Sequence, residues 1–507
     1  MVNLAVLIAL TARLFFYLAF ELSRLPAEPI DYTITLQKYI TAYINAPWLL
    51  TIICIIVFSA SGFYTYGRFY RGRYKILIII QAVSVAYIIF GALVYFAGDF
   101  TGGIFFMPRG AFFLAWVLTA AMLVAGRAWA YLWRKAAKAE TTIPPRSIDG
   151  KVRTVLVIGG AGYIGSALLP KLLDRGYRVN LLDLLLYGTE PIQDYLDHPH
   201  LKVIQADFRQ IDRVVEATRS ADAVIHLGAI VGDPACALDE KLTIEINLMA
   251  TRMIAEVAKG NGVSRFIFAS TCSVYGASDQ KLDERSALNP VSLYARSKIA
   301  SEKVLLKMAD DTFAPTNLRF GTIYGLSGRT RFDLVVNLLT AKALEDGKIT
   351  IFGGDQWRPF IHVDDAAQAI LMTLEAPLPI VRNQVINVGS NEQNYTIRQI
   401  GELVNEAVPG SEVVENSANV DPRNYWVSFS KLQNVLQFKP HWTVEKGIHQ
   451  VIEAISSGRV GDYRDAKYSN VKFLTEEGMS RLARGEEGWA YQLLNESETG
   501  EMLAVDM

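Results

Sequence analysis

Residues 153–183 read RTVLVIGGAGYIGSALLPKLLDRGYRVNLLD, and the order of apolar runs and glycines in them decides the architecture of most of the chain. RTVLVI is short and apolar enough for one buried strand, and GGAGYIG is a glycine-rich turn. SALLPKLLDRG has helical spacing and ends at Gly176, after which YRVNLLD reads as the next strand. That is one βαβ unit. Further apolar strands follow at LKVIQA, DAVIHLG, RFIFAS and TNLRF, separated by helical segments such as IEINLMATRMIAEVAKG, so the expected fold is an α/β, doubly wound parallel sheet.

Glycines alone mark many tight turns, but Gly159, Gly162 and Gly165 directly follow a strand and open a helix. Missing side chains there let a pyrophosphate approach the backbone N–H groups and the helix N-terminus, which is the Rossmann-type arrangement. Asp183 ends the second strand, where a carboxylate accepts both ribose hydroxyls of an adenosine half. A 2′-phosphate would meet that charge unfavourably and no basic residue follows within LLLYG, so NAD is expected rather than NADP. Asp207, after the third strand, either reaches the adenine or caps a helix. Tyr163, Ile164, Phe208 and Leu227 complete the candidate cofactor-binding set.

The chain has 507 residues, enough for two or three structural units. With 50 Lys+Arg against 51 Asp+Glu it is no nucleic-acid binder, yet the first 135 residues carry 11 basic and 4 acidic residues and the rest 39 and 47. Mean hydropathy of +0.20 is high for a soluble enzyme, and the excess lies in that first part. Four apolar runs, residues 2–20, 48–66, 76–97 and 111–132, are each long enough to cross roughly 30 Å of hydrocarbon. The first lacks the basic start and small-residue cleavage site of a signal peptide and is read as a span. Arg68, Arg71, Arg73 and Lys75 follow the second run and Arg134, Lys135 and Lys138 the fourth, against only Asp99 and Arg109 between the third and fourth. That bias puts both basic clusters, and everything after Lys138, on the cytoplasmic side of a multi-pass protein of the cell inner membrane. The lipid bilayer is then a partner. Arg127 is close enough to a span end to snorkel; Arg13 is read as deeper and structural. Cys54, Cys236 and Cys272 are too few for a disulfide framework, which suits a reducing compartment. The polar AETTIPPRSIDG marks a boundary near residue 150. The expected organisation is a four-helix membrane module (1–135), a linker (136–150), the α/β region with a smaller substrate lobe at about 321–345 and 385–456 (151–456), and a tail (457–507).

YARSK places Tyr294 and Lys298 at i and i+4, on one helix face, so an ammonium sits beside a phenol. A tyrosine of ordinary pKa about 10 is no base at neutral pH, but a lysine and a positive nicotinamide ring stabilise its phenolate. Such pairs are usually inert. Thr271, in the strand-end segment ASTCSVYG, raises this one, because its hydroxyl donates to the same substrate oxygen. With GGAGYIG, HLGA, STCSVYG, YARSK, LRFGTIYG, WRPFIHVDD and DPRNYWVSFSK in order over about residues 151–456, the chain resembles an extended short-chain dehydrogenase/reductase of the nucleotide-sugar epimerase/dehydratase family. The first 135 residues are similar to the four-helix modules of bacterial polysaccharide-biosynthesis membrane proteins, on the GFYTYGRFYRGRYK loop and the PRGAFFLAWVLTAAMLVAGR span.

The resemblance implies a catalytic group of Thr271, Tyr294 and Lys298, with Lys298 also touching the cofactor, and a substrate set of Thr271, Tyr294, Thr322, Arg358 and Arg423. The two arginines would hold the pyrophosphate of a UDP-, dTDP- or GDP-sugar, for which a guanidinium is suited by its bidentate geometry. Two positions depart from the family. Thr322 stands where many members have a substrate-contacting Asn, and Cys272 and Ser273 stand where dehydratases carry an acid pair and decarboxylases a Glu. Elimination of water needs an acid for the leaving hydroxyl, and neither residue supplies one, whereas epimerisation needs only reversible hydride transfer. The expected function is therefore a membrane-anchored, NAD-dependent C4 epimerase of nucleotide sugars in surface polysaccharide or glycan synthesis. The alternatives are a nucleotide-sugar reductase or dehydratase, an epimerase of a polyprenyl-linked sugar, and a silent scaffold. A homodimer and contacts with membrane glycosyltransferases are expected. The six histidines show no metal-ligand spacing, so no metal is expected, and the tail is read only as helical.

Overall fold

Alternation within the first strand explains why its sequence is apolar throughout. In β1 (Thr154–Ile158), Val155 and Val157 enter the core on one face of a sheet while Leu156 and Ile158 enter the core on the other. A strand buried on both faces has no polar side to show. The computed structural model describes residues 1–22, 32–61, 74–97, 107–141, 152–416, 421 and 423–482. The chain divides into two compact units, Met1–Thr141 and Thr142–Met507.

In the second unit β1 is followed by β2 (Arg178–Asp183), β3 (Leu201–Gln205), β4 (Ala223–His226), β5 (Arg265–Thr271), β6 (Ala314–Phe320), β7 (Thr322–Tyr324), β8 (Lys348–Phe352), β9 (Trp357–His362), β10 (Val385–Val388), β11 (Asn394–Thr396) and β12 (Glu412–Asn416). Seven of these form one parallel sheet in the order β10-β6-β5-β4-β1-β2-β3. The order reverses at β1 and β4. Ligands of such sheets bind beyond the carboxyl ends of the strands at that switch point. The expected strands are all present, but Val385–Val388, assigned above to the smaller lobe, pairs with β6 in the main sheet. Its four residues carry too short a pattern to show which sheet they join. The smaller lobe instead gathers β8, β9 and the helices Val335–Asp346, Ile397–Ala407 and Val444–Ser456 around Ile349, Ile351, Phe360 and Ile448.

The first unit contains α1 (Val2–Leu22), α2 (Tyr32–Ala60), α3 (Tyr74–Ala97) and α4 (Arg109–Thr141). Each is long and apolar enough to cross a membrane, over Val2–Phe20, Thr33–Ala60, Leu77–Phe96 and Arg109–Ala130. The second helix starts 16 residues before the expected apolar run and carries Pro47 in its interior, where the Pro47 carbonyl accepts a hydrogen bond from the Thr51 hydroxyl at 2.7 Å. A proline costs a helix one N–H donor, which neighbouring side chains and helices offset in such bundles. Polar pairs join the helices: Tyr87 with Thr119 (2.8 Å), Trp116 with Ser84 (3.1 Å) and Thr51 with Asn3 (2.6 Å). Arg13 packs against the first turn of α4, where a Cβ on Gly110 would stand 3.6 Å from its Cδ. Trp48, Trp129 and Trp133 project outward. Asp99, Arg68, Arg71 and Arg73, the residues from 142 to 151 and those from 483 on lie outside the described residues, as do the side chains of Tyr131, Lys75, Arg134, Lys135 and Lys138.

Candidate active site

Beyond the carboxyl ends of β1, β4 and β5 opens a cavity of about 660 Å³. Its cofactor wall starts at the glycine turn. Gly159 adopts φ +77°, and a Cβ there would lie 2.6 Å from the Gly228 nitrogen; one on Gly165 would lie 2.5 Å from the Gly160 Cα. Only glycine fits either place, and the fit leaves backbone N–H groups facing the cavity at the head of the helix Tyr163–Asp174. Asp183 accepts from the backbone N–H of Ala161 (2.9 Å) and of Leu185 (2.8 Å). Burial pushes this carboxyl up and the two N–H groups pull it back. Each oxygen keeps a second lone pair for a ribose hydroxyl. These residues fit NAD. Gly162, Ile164, Phe208 and Leu227 also line the cavity. Tyr163 lines it too, with its hydroxyl bound to the Gly325 carbonyl at 2.7 Å. Asp207 lines it as well: Arg209 forks onto its Oδ2 (2.9 and 2.7 Å) and the Arg209 N–H takes Oδ1, so this carboxylate also holds a turn and a guanidinium.

Thr271 ends β5, and Tyr294 and Lys298 lie in the helix Leu293–Met308, capped by Ser292. The structure brings all three to the cavity. Tyr294 is pushed up by burial, with Arg331 and hydrogen bonding with the Thr271 hydroxyl pulling the other way. The Lys298 ammonium lies over the Tyr294 ring and is held by the main chain. Lys298 Nζ donates to the Ala269 carbonyl at 2.9 Å and stands 5.9 Å from the centre of the Tyr294 ring, since a buried cation takes the nearest carbonyl. Burial holds Lys298 down at about 8. The facing wall carries Thr322, Arg358 and Arg423. Arg423 pairs with Asp421 and, at 3.1 Å, with Asp233; Arg358 lies 3.3 Å from Asp421 and donates to the Arg423 carbonyl at 2.7 Å. Burial would raise Asp421, but Arg423 overrides it and holds the carboxyl at about 2.

Residues 155–389 match the NAD dependent epimerase/dehydratase family. The C-terminal unit belongs to that family. An uncharacterized UDP-glucose epimerase of Bacillus subtilis, YtcB, is 27% identical over 315 residues, 60% of this chain and 98% of that protein. A UDP-N-acetyl-alpha-D-glucosaminuronate decarboxylase of Bacillus cytotoxicus is 27% identical over 59% of this chain and 96% of its own length. Among solved structures, the UDP-glucuronic acid 4-epimerase of Bacillus cereus with UDP-glucuronic acid and NAD superposes with a TM-score of 0.55 at 28% identity, over 60% of this chain and 99% of that one.

As an extended short-chain dehydrogenase/reductase, the unit uses NAD, and several of its cavity residues escaped the sequence reading. Arg329 is 5% exposed, lies 3.9 Å over the Tyr187 ring and leaves Nε and Nη2 without a partner among the described residues. Arg331 and Asp333 pair beside it, and Tyr425 lies within hydrogen-bonding reach of Ser273 at 3.4 Å. Only the arginine doublet in LSGRTRFD hinted at the first two. Asn470, Val471, Leu474 and Leu482, from the stretch read as a tail, also line the cavity. The family histidines are structural: His226 binds Thr251 at 3.0 Å, with burial holding its ring down at about 3, and His362 stacks on Trp442 with ring centres 3.9 Å apart. Among the described residues no group of three His, Cys, Asp or Glu could hold a metal.

Proposed function

We propose that the chain is a membrane-anchored, NAD-dependent epimerase that inverts C4 of a nucleotide sugar through a 4-keto intermediate, and that it serves surface polysaccharide or glycan synthesis. One observation carries the choice of reaction: among the described residues, every carboxylate lining the cavity is engaged. Asp183 is held by backbone N–H groups, Asp207 by Arg209, Asp233 and Asp421 by Arg423, and Asp333 by Arg331. Cys272 is buried with its thiol pushed far up and donates to the Arg319 carbonyl, and Ser273 is a hydroxyl. Among the described residues no carboxyl lining the cavity is left unengaged to protonate a leaving hydroxyl, which argues against dehydration.

Epimerisation asks less of the protein. Tyr294 takes the C4 hydroxyl proton and later returns it, Thr271 donates to the same oxygen, and Lys298 and Arg331 supply positive charge near the phenol. Arg358 and Arg423 exchange part of their hold on Asp421 for the pyrophosphate, leaving the sugar free to turn. NAD, when bound, accepts and returns the hydride, so no net reduction accumulates.

Product analysis of the full chain with UDP-, dTDP- and GDP-sugars tests this. Interconversion of 4-epimers without net NADH is expected; loss of water or of CO₂, or stoichiometric NADH use, would overturn it. The anchor suits a free sugar nucleotide held near membrane glycosyltransferases. A truncated protein beginning near Ile148 should keep activity on the sugar nucleotide, and turnover of only a polyprenyl-linked sugar by that truncated protein would transfer the proposal to a lipid-linked substrate.

A further inference from the structure

The most unexpected part of the cavity is its C-terminal rim, which lies beyond the stretch that matches the family, residues 155–389. Residues 466–482 cross from the smaller lobe to the cofactor side. At one end the Tyr468 carbonyl accepts from the Phe332 N–H (2.9 Å) and the Asn470 N–H donates to Asp333 (3.1 Å). Further on, the Asn470 side chain donates to the Val231 carbonyl (3.0 Å) and the Phe473 ring packs at a tilt against Tyr187 with ring centres 4.4 Å apart. At the far end Arg481 donates to the Leu186 carbonyl (3.0 Å), and Arg209, the residue that engages Asp207, donates to the Leu482 carbonyl (2.6 Å). Leu474 and Leu482, 4% and 8% exposed, join Ile230 and Tyr294 in one apolar cluster, with Leu184 and Phe208 packed on it. The segment therefore touches the residues that follow Asp183 and Asp207 on one side and the arginine-bearing loop on the other.

We propose that residues 466–482 are a strap forming the outer wall of the cofactor site, which keeps NAD resident through repeated turnovers. The proposal rests on the epimerase reading in one respect: a closed hydride cycle needs no cofactor exchange, whereas a reductase must release its cofactor every turn. A wall fixed at both ends, with apolar side chains buried beneath it, must lift before a dinucleotide leaves, so its effect falls on the dissociation rate.

The test is NAD release, measured without any sugar nucleotide by displacing bound NAD with excess labelled NAD. The variants are the full chain, a chain ending at Asp465 and the full-length Asn470→Ala and Phe473→Ala variants, with thermal unfolding of each recorded. The chain ending at Asp465 should release NAD at least about tenfold faster and lose co-purifying NAD, with smaller increases in the two point variants. If the shortened chain does not fold, the point variants decide. Unchanged release in both point variants would overturn the proposal, and so would slower release on shortening, the behaviour of a plug that competes with the cofactor. Resident NAD in a protein without epimerase products would sink the reading of function alone; freely exchanging NAD in an active epimerase would sink the strap alone.

Discussion

The wall that receives the dinucleotide is main chain: three glycines at a helix head and one aspartate, Asp183, held by two N–H groups. The facing wall is side chain: Arg358 and Arg423, each already in contact with Asp421. Backbone dipoles are fixed by the fold and stay aimed at the ligand with nothing to neutralise, so the first wall is preorganised. Unpaired guanidinium groups are costly in a buried site, so the second wall is neutralised by its own carboxylates, which the phosphate of the proposed substrate would replace. Cofactor binding should therefore respond to steric changes, and substrate binding to changes of charge.

The largest effect is expected at Tyr294, which belongs to neither wall. Tyr294→Phe should lower turnover by about 10² to 10⁴ and leave NAD binding intact, by titration and rate measurement; activity within tenfold of the native chain would reject the assignment. Next comes Arg423→Ala, which removes phosphate hydrogen bonds, takes the paired cation from Asp233 and leaves Asp421 with Arg358 alone. The KM for the sugar nucleotide should rise by about 10- to 100-fold with NAD affinity unchanged, and a parallel loss of NAD affinity would show that the two walls are not independent. Asp183→Ala should weaken NAD by roughly tenfold and relax discrimination against NADP, because acceptor and repulsive charge go together; a native chain preferring NADP would contradict it.

The smallest effect is the response to pH. Lys298 sits below the ordinary lysine range, at about 8, so it loses its charge as pH rises through that value and the phenol loses a supporting cation. Turnover with bound NAD should fall severalfold above about pH 8. Unfolding of this group is not the cause: between about 8 and its ordinary 10.5 the unfolded chain binds the extra proton, so Lys298 makes the fold more stable as pH rises there. A melting temperature that dropped together with activity over that range would argue against Lys298 as the titrating group.

Local pattern carried a large part of this molecule. The strand-glycine-helix order of residues 153–183 rests on contacts between near neighbours, and the i, i+4 placement of Tyr294 and Lys298 follows from helical geometry. What the pattern missed was set by distant partners. Arg209, which forks onto Asp207, also reaches the Leu482 carbonyl, and the Tyr163 hydroxyl binds Gly325, 162 positions away. Arg13 packs against the first turn of α4, a neighbour that no spacing along α1 announces.

By itself, then, the sequence determined the parallel α/β sheet, the glycine turn, the acid at the end of the second strand and the Tyr294–Lys298 pair, because each rests on residue types at short, fixed spacing. Only the tertiary structure decided that Val385–Val388 completes the main sheet, that Arg329 and Arg331 reach the cavity, and that residues 466–482 return to cover it. Those outcomes depend on which buried polar groups find partners and which apolar surfaces meet across hundreds of residues, and a linear pattern carries no record of such pairings.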